Sequence, residues 1–224
     1  MNSETKRQTL PSFARPIPAL WFWPAAVLLP AAYMLTLSVW SWPIFVAQYL
    51  FFLLPCSFLL WHFGIQNAFF KRQYAFRFVL VLVMATLLTL FNNTVVDAFC
   101  QSLWPMPQEL QAAIDTLFHR EWRFGLAYDI FQVALVPAMA EELLFRGFLL
   151  TVMLRKMPVW AAVLLNGFLF ALYHLNPWQF VGLFLLGTAF AAIFVKTRNL
   201  TLVMLAHFVN NLIGVLTWWF WEKH

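Results

Sequence analysis

The sequence predicts an all-α fold, a polytopic membrane helix bundle of about seven transmembrane helices with its amino terminus in the cytoplasm. Of the 224 residues, 63% are hydrophobic and only 10% are charged, whereas an ordinary soluble domain has about 45–50% and about 25%. Aromatic residues make up 19% of the chain, which excludes a disordered protein because disorder requires few core-forming side chains. Since one spanning helix needs about 20 apolar residues, the apolar material suffices for roughly seven spans.

Seven apolar runs separated by polar connections predict the individual spans. They lie at 19–40, 44–63, 75–96, 126–154, 158–176, 178–195 and 200–220. Tight turns are expected before Pro43 and Pro177, because the residue before a proline disfavours helix. The first run is too long for the hydrophobic region of a typical signal peptide, so we interpret it as a span. Residues 1–18 then form a cytoplasmic tail, and residues 19–224 form one transmembrane domain.

The basic residues predict how this domain is oriented. Ten of the 14 Lys and Arg residues lie in the amino-terminal tail and in three loops on one side of the seven-span arrangement, and three lie on the other side. Basic loops remain in the cytoplasm, so the carboxyl terminus is expected outside. The net charge of +5 comes from these short loops, which argues for membrane orientation and against a nucleic-acid partner. We expect an integral, multi-pass protein of the bacterial inner membrane.

The longest loop, residues 97–125, is predicted on the outer side. After Pro107, apolar residues recur in it at helical spacing: Leu110, Ile114, Leu117, Phe118 and Trp122. This pattern favours a short amphipathic helix lying in the membrane interface. Such a helix serves either as a packing cap over the bundle or as a lid over a substrate.

Away from its ends, the fourth predicted span contains three charged residues: Glu141, Glu142 and Arg146. Ionisable groups within a bilayer cost several kcal/mol unless they are paired or hydrated, so they indicate a functional site. Glu142 and Arg146 are four residues apart on one helix face and can form an ion pair. Adjacent residues point about 100° apart on a helix, so Glu141 is left without a cation, and a desolvated carboxylate of this kind suits a general base. The alternative is a single buried charge network that only packs helices.

Polar residues also occur inside the later spans. The fifth contains Asn166 and His174, and the seventh contains His207, Asn210 and Asn211. His207 and Asn211 are four residues apart and share one helix face. A lone histidine in an apolar helix usually forms a hydrogen bond between helices. Two histidines together with the glutamates supply a base, a second proton-handling group and neutral donors, which are the groups needed to activate water and hold an oxyanion.

Three motifs on successive late spans resemble those of a known family. The motifs are EExxxR (Glu141, Glu142, Arg146), FxxxH (Phe170, His174) and HxxxN (His207, Asn211). In this order they are similar to the motifs of the CAAX-processing and bacteriocin-processing intramembrane proteases, called CPBP or Abi. The resemblance covers residues 126–215, the predicted catalytic core, and the first three spans match only as generic hydrophobic helices.

The resemblance implies a glutamic-type intramembrane endopeptidase. It implies that Glu141 and His174 polarise the attacking water, that His207 and Asn211 stabilise the oxyanion, and that the ion pair of the first motif supports the site electrostatically. Phe170 is expected to act in packing. The resemblance also leaves zinc open as a lesser possibility, held by Glu141, His174 and His207. Because HExxH is absent and Asn211 suits an oxyanion donor, we expect no cofactor.

The predicted topology bears on the substrate, which is expected to be a membrane-anchored peptide or protein in the lipid bilayer. The turn after His174 is placed on the outer side, and Glu141 lies near mid-membrane. His174 is therefore too shallow by about two turns, roughly 11 Å, unless the fifth span is short or tilted. An outward cleft favours a C-terminal sorting signal or an exported peptide precursor over a CAAX-like tail. A non-catalytic scaffold or immunity protein and a proton- or ion-coupled transporter are the alternatives, although transporter-like inverted repeats are not evident.

Overall fold

The computed structural model describes residues 12–13, 49–63, 65–66, 75–112 and 125–222, and the single residues 28, 31 and 46. Apart from one pair of two-residue strands, the elements in these ranges are helices, so the predicted all-α fold is confirmed. The first predicted span is described only at residues 28 and 31. The predicted interfacial helix is described only up to residue 112; residues 108–112 are helical, and the rest of the prediction lies outside the described residues.

Six helices, numbered here in chain order, make up most of the described chain. Their contiguous α-helical and π-helical pieces are Tyr49–Leu53 and Leu54–Phe63 for α1; Ala75–Phe91, Asn92–Val96 and Asp97–Leu103 for α2; Leu126–Asp129, Ile130–Leu135, Val136–Glu142, Leu143–Leu150 and Thr151–Lys156 for α3; Val159–Tyr173 for α4; Phe180–Thr197 for α5; and Leu200–Thr217 and Trp218–Glu222 for α6. They coincide with the second to seventh predicted spans. The largest difference is at the end of α2, which continues seven residues beyond the predicted end at residue 96.

The chain is an integral membrane protein by the length and hydrophobicity of its helices. Phe78–Leu103, Phe180–Thr197 and Leu200–Phe220 are each long and apolar enough to cross a membrane, and α4 is a shorter apolar helix of 15 residues. Large hydrophobic side chains are exposed along α2, among them Val83 and Leu87. This exposure suits contact with lipid. The total of seven spans stays a prediction.

Contacts between the ends of helices and strands form two groups, which the charge count places on opposite sides of the membrane. In the first group, β1 (Ser12–Phe13) pairs antiparallel with β2 (Ile65–Gln66) and also contacts the Thr151–Lys156 end of α3. In the second, the rings of Trp104 and Trp178 lie 5.8 Å apart. The charge count assigns the first group to the cytoplasmic side and the second to the outer side, and this assignment stays a prediction.

Helix α3 is the central helix of the described bundle. Every residue from 140 to 154 is buried, which is typical of a helix surrounded by others. Helices α4 and α5 pack closely against each other because glycines lie at their contact. A Cβ atom on Gly167 would come within 2.8 Å of the backbone nitrogen of Thr188, and one on Gly187 within 2.9 Å of Phe170 Cδ1. This close approach brings the Phe170–His174 motif and the backbone of α5 against the charged residues of α3.

Candidate active site

The Glu142–Arg146 ion pair predicted from the helix spacing is present in α3. Arg146 Nη1 lies 2.7 Å from Glu142 Oε1, and both side chains are fully buried. Arg146 Nη2 donates a second hydrogen bond to the carbonyl oxygen of Gly187 at 2.8 Å, and the guanidinium carbon lies 4.6 Å from the centre of the Phe170 ring. The cation is therefore fixed by a carboxylate, a backbone carbonyl and an aromatic face from three different helices.

His207 brings α6 onto the same carboxylate. Its Nδ1 lies 2.8 Å from Glu142 Oε1, and its ring stacks on Phe190 with centroids 5.2 Å apart. Because an ionised carboxylate only accepts hydrogen bonds, Nδ1 is the atom that carries the proton in this contact. The opposite nitrogen, Nε2, lies 3.9 Å from Glu141 Oε2. Both adjacent glutamates thus face the same histidine.

His174 reaches Glu141 from the end of α4. Its Nδ1 lies 2.8 Å from the carbonyl oxygen of Phe170, and a carbonyl only accepts, so Nδ1 is again the protonated atom. The lone pair of the neutral ring is then on Nε2, which lies 3.9 Å from Glu141 Oε2. The His174 side chain is 28% exposed and that of His207 is 4% exposed, so His174 lies on the accessible side of the cluster.

The expected depth mismatch between Glu141 and His174 is absent because α4 is short. Its 15 residues rise about 22 Å, less than the roughly 30 Å of a hydrocarbon core. Since His174 Nε2 lies 3.9 Å from Glu141 Oε2, the two side chains lie at one level of the bundle, as a short fifth span allows.

Glu141 is the carboxylate without a direct partner. Its Oε2 atom is buried and has no hydrogen-bond partner in the described part of the chain. The distance of 3.9 Å to each histidine Nε2 exceeds that of a direct hydrogen bond, about 2.7–3.2 Å. It is a separation that one water molecule can bridge. The Nε2 atoms of both histidines thus lie at the same distance from one carboxylate oxygen of Glu141.

Asn211 joins the cluster by its position on α6 rather than by a direct contact. It lies one turn after His207 and is partly buried. Its Oδ1 accepts a hydrogen bond of 3.0 Å from Asn210 Nδ2. Asn210 in turn contacts Thr89 of α2, whose Oγ1 lies 2.8 Å from Asn210 Oδ1. The structure therefore brings five of the six predicted site residues into one contact network and leaves Asn211 beside it.

The three motifs lie within a segment that matches one protein family. Residues 123–213 match the Rce1-like family model, which is described as type II CAAX prenyl endopeptidase Rce1-like. The resemblance inferred from the motifs is confirmed. No curated protein matches the chain, and no solved structure does. At family level, the Rce1-like match supports a CAAX-type intramembrane endopeptidase.

The residues of the Rce1-like segment do not fit a tetrahedral zinc ion as they are placed. Zinc bonds of about 2.0–2.2 Å to His nitrogen and Glu oxygen would put ligand atoms about 3.4 Å apart, whereas Glu141 Oε2 lies 3.9 Å from His174 and from His207. Among the described ranges, no group of three His, Cys, Asp or Glu residues is arranged to hold a metal ion. The expectation of a cofactor-free reaction stays a prediction.

An apolar cavity of about 450 Å³ lies between the end of α2 and the start of α5, and some of its lining residues follow His174 closely in the sequence. Its lining includes Leu103, Trp104, Trp178 and Phe180. Trp178 follows His174 by four residues, in the turn that connects α4 to α5. A hydrophobic group bound in this cavity would lie on the same side of the bundle as the exposed edge of His174.

Several buried polar residues were not singled out from the sequence. Asp129 and Gln132 are fully buried on α3, and Asp129 Oδ2 accepts a hydrogen bond of 2.9 Å from Trp219 Nε1. Asp129 lies near the predicted end of its span, where a carboxylate is expected to contact water. Thr89 is a neutral residue outside any motif. Only the packing of α2 and α3 on α6 reveals that these side chains are inside.

Proposed function

We propose that the protein is an intramembrane endopeptidase that hydrolyses a peptide bond of a membrane-anchored substrate with a water molecule activated by Glu141 and His174. One observation carries this proposal: Glu141 Oε2 is buried, has no hydrogen-bond partner among the described residues, and lies 3.9 Å from Nε2 of His174 and of His207. A carboxylate held in this way can accept a proton from a water that also contacts an imidazole lone pair.

The attack step uses the tautomer of His174 that its backbone contact favours. With Nδ1 donating to the Phe170 carbonyl, Nε2 accepts a hydrogen bond from the water and aligns it. Glu141 takes a proton from the same water molecule, while the oxygen of that water forms a bond to the carbonyl carbon of the substrate. The π electrons of that carbonyl move onto its oxygen and produce a tetrahedral oxyanion.

The oxyanion is stabilised by donors on α6. His207 donates from Nε2 only when its ring is protonated on both nitrogens, since Nδ1 already donates to Glu142. Asn211 supplies a neutral donor from its amide. Donors of this kind act on charge that develops in the transition state.

Breakdown of the intermediate returns the proton. Glu141 passes the proton that it took from water to the nitrogen of the leaving amine, and the carbon–nitrogen bond breaks as the carbonyl reforms. The products are a new carboxyl terminus and a new amino terminus. The Glu142–Arg146 pair does not take part in bond making; it holds His207 in position.

The substrate class follows from the bundle's surroundings. The exposed edge of His174 and the apolar cavity beside Trp178 are accessible to a segment anchored in the membrane, whose hydrophobic part enters the cavity. The proposed location is the bacterial inner membrane, and the side of entry is the outer face that the basic loops predict. This side favours an exported substrate, such as a C-terminal sorting signal or a peptide precursor, over a cytosolic CAAX-like tail.

Cleavage by purified protein in proteoliposomes tests the function. Two probes distinguish the substrate classes: a farnesylated CAAX peptide and an unprenylated peptide with a hydrophobic membrane anchor, each carrying a fluorophore and a quencher. Glu141→Gln keeps the shape of the side chain and removes the base, so cleavage should fall by at least about a hundredfold. Wild-type rates in Glu141→Gln, or no cleavage of either probe by the wild type, would contradict the proposal and leave a scaffold or a transporter.

A further inference from the structure

A chain of three polar side chains connects α2 to the residue proposed as the neutral oxyanion donor. Thr89 is 1% exposed, and its Oγ1 lies 2.8 Å from Asn210 Oδ1 and 2.9 Å from the carbonyl oxygen of Ala85. Asn210 Nδ2 donates to Asn211 Oδ1 at 3.0 Å. None of these contacts is needed to hold a helix, because the backbone groups of Ala85 and Thr89 already bond within α2.

We propose that Thr89 and Asn210 are positioning residues that orient the amide of Asn211 so that its NH₂ group is available to the oxyanion. This inference rests on the proposed function. The inference concerns the orientation of the Asn211 amide. The two ends of an Asn side chain have nearly the same shape but opposite hydrogen-bonding character, so the orientation decides whether a donor or an acceptor faces the site. Only the nitrogen end can stabilise negative charge.

The orientation depends on the single proton of the Thr89 hydroxyl. When that proton is donated to Asn210 Oδ1, Asn210 Nδ2 donates to Asn211 Oδ1, and Asn211 keeps its NH₂ group for the site. When the proton is donated to the Ala85 carbonyl, the hydroxyl can only accept from Asn210. Both amides are then reversed, and Asn211 presents its oxygen to the site. The direction of the chain thus decides whether Asn211 is a donor or an acceptor there.

A second threonine on α2 provides a matched control. Thr94 Oγ1 donates to the carbonyl oxygen of Leu90 at 2.7 Å, in the same spacing of four residues as Thr89 and Ala85, but Thr94 is exposed. Valine has the shape of threonine without the hydroxyl. Thr94→Val therefore reproduces the loss of a threonine hydroxyl from α2 without touching Asn210.

Steady-state cleavage of the better of the two anchored peptides tests the inference in proteoliposomes. Thr89→Val should lower kcat by about tenfold with KM unchanged, because the lost interaction acts on the transition state. Thr89→Ser keeps the hydroxyl and should retain kcat within about twofold, and Thr94→Val should match the wild type. In an Asn211→Ala background, Thr89→Val should cause no further loss, since the group that it orients is gone.

Equal losses from Thr89→Val in the wild-type and Asn211→Ala backgrounds would overturn the inference, as would a Thr89→Ser variant as slow as Thr89→Val. If the proposed function is wrong, Glu141→Gln will cleave the peptide at the wild-type rate, which is a different result from those above. The inference can then still be tested by measuring protein stability instead of cleavage. The effects of Thr89→Val and Asn211→Ala on the free energy of unfolding should be non-additive if the chain exists, and additivity would overturn it.

Discussion

The buried ion pair of α3 gives a prediction of unusual sign: removing Arg146 alone should be more harmful than removing it together with the charge of Glu142. Arg146→Met keeps much of the side-chain volume and removes the cation. Glu142 is then left as a fully buried carboxylate whose remaining contact is His207. Breaking a buried pair from one side costs about 3–5 kcal/mol because the other charge is left uncompensated.

The double variant removes that uncompensated charge. In Glu142→Gln/Arg146→Met, the glutamine oxygen still accepts the hydrogen bond from His207 Nδ1, so no buried carboxylate remains on this side of the cluster. What is lost is the bond from Arg146 to the Gly187 carbonyl, about 1.5 kcal/mol for a charged donor, and the cation–π contact with Phe170, about 2 kcal/mol for a desolvated pair. The single variant loses the same two contacts and also leaves the Glu142 charge uncompensated, so the double variant should be the more stable of the two by about 1 kcal/mol or more.

Unfolding by SDS in mixed micelles, monitored by the fluorescence of the 12 tryptophans, measures these free energies. Lys156→Met is the control, because Lys156 lies on the same helix and is exposed; it should change stability by less than about 0.5 kcal/mol. The reasoning is refuted if Glu142→Gln further destabilises Arg146→Met, or if Arg146→Met is as mild as the control.

Further predictions concern packing, catalysis and metal dependence. Gly187→Ala should destabilise the protein by about 1–3 kcal/mol, because its Cβ would lie 2.9 Å from Phe170 Cδ1. Gly214→Ala adds an atom with nothing within 4 Å of it, so it should be neutral or stabilising in the same SDS titration. Equal effects of the two substitutions would contradict the close approach of α4 and α5. His174→Ala should lower kcat by about 10²–10⁴-fold in the proteoliposome assay with an unchanged gel-filtration profile, and a loss below tenfold would place the ring outside the reaction. Cleavage should persist in 1,10-phenanthroline at millimolar concentration, and a loss restored by added zinc would show dependence on a metal.

Much of the fold could be predicted because hydrophobicity alone specifies a membrane helix. Six predicted spans coincide with α1–α6, and the turn at Pro177 separates α4 from α5 as expected. The turn predicted at Pro43 lies outside the described residues. The ends were less predictable. The predicted third span ends at residue 96, but α2 continues to Leu103, because no helix-breaking residue occurs before Pro105. The carboxylate of Asp97 at that boundary does not end a helix.

The local part of the site was also within reach of the sequence. The spacing of four residues between Glu142 and Arg146 predicts their ion pair, and the adjacent position of Glu141 predicts that it is left over. What the spacing could not predict is the contact between His207 and Glu142, because 65 residues separate them. That contact depends on the rotation of α6 against α3, which is set by packing over the whole interface.

The role of neutral residues was the least predictable. Charges in a bilayer are conspicuous because they are costly, whereas a threonine in an apolar helix can satisfy its own hydroxyl on the preceding turn. Thr89 and Thr94 look alike in the sequence, and the hydroxyl of each lies within hydrogen-bond distance of the carbonyl oxygen four residues earlier. Only the position of α6 distinguishes them, since it places Asn210 against one and leaves the other exposed.

The central claim is that Glu141 activates a water molecule for attack on a peptide bond. Hydrolysis of the anchored peptide in H₂¹⁸O, with mass spectrometry of the amino-terminal product, tests it most directly. The wild type should place one ¹⁸O atom in the new carboxyl group, and Glu141→Gln should yield no labelled product above the rate without enzyme. Labelled product formed by Glu141→Gln at the wild-type rate, or unlabelled product from the wild type, would contradict the claim.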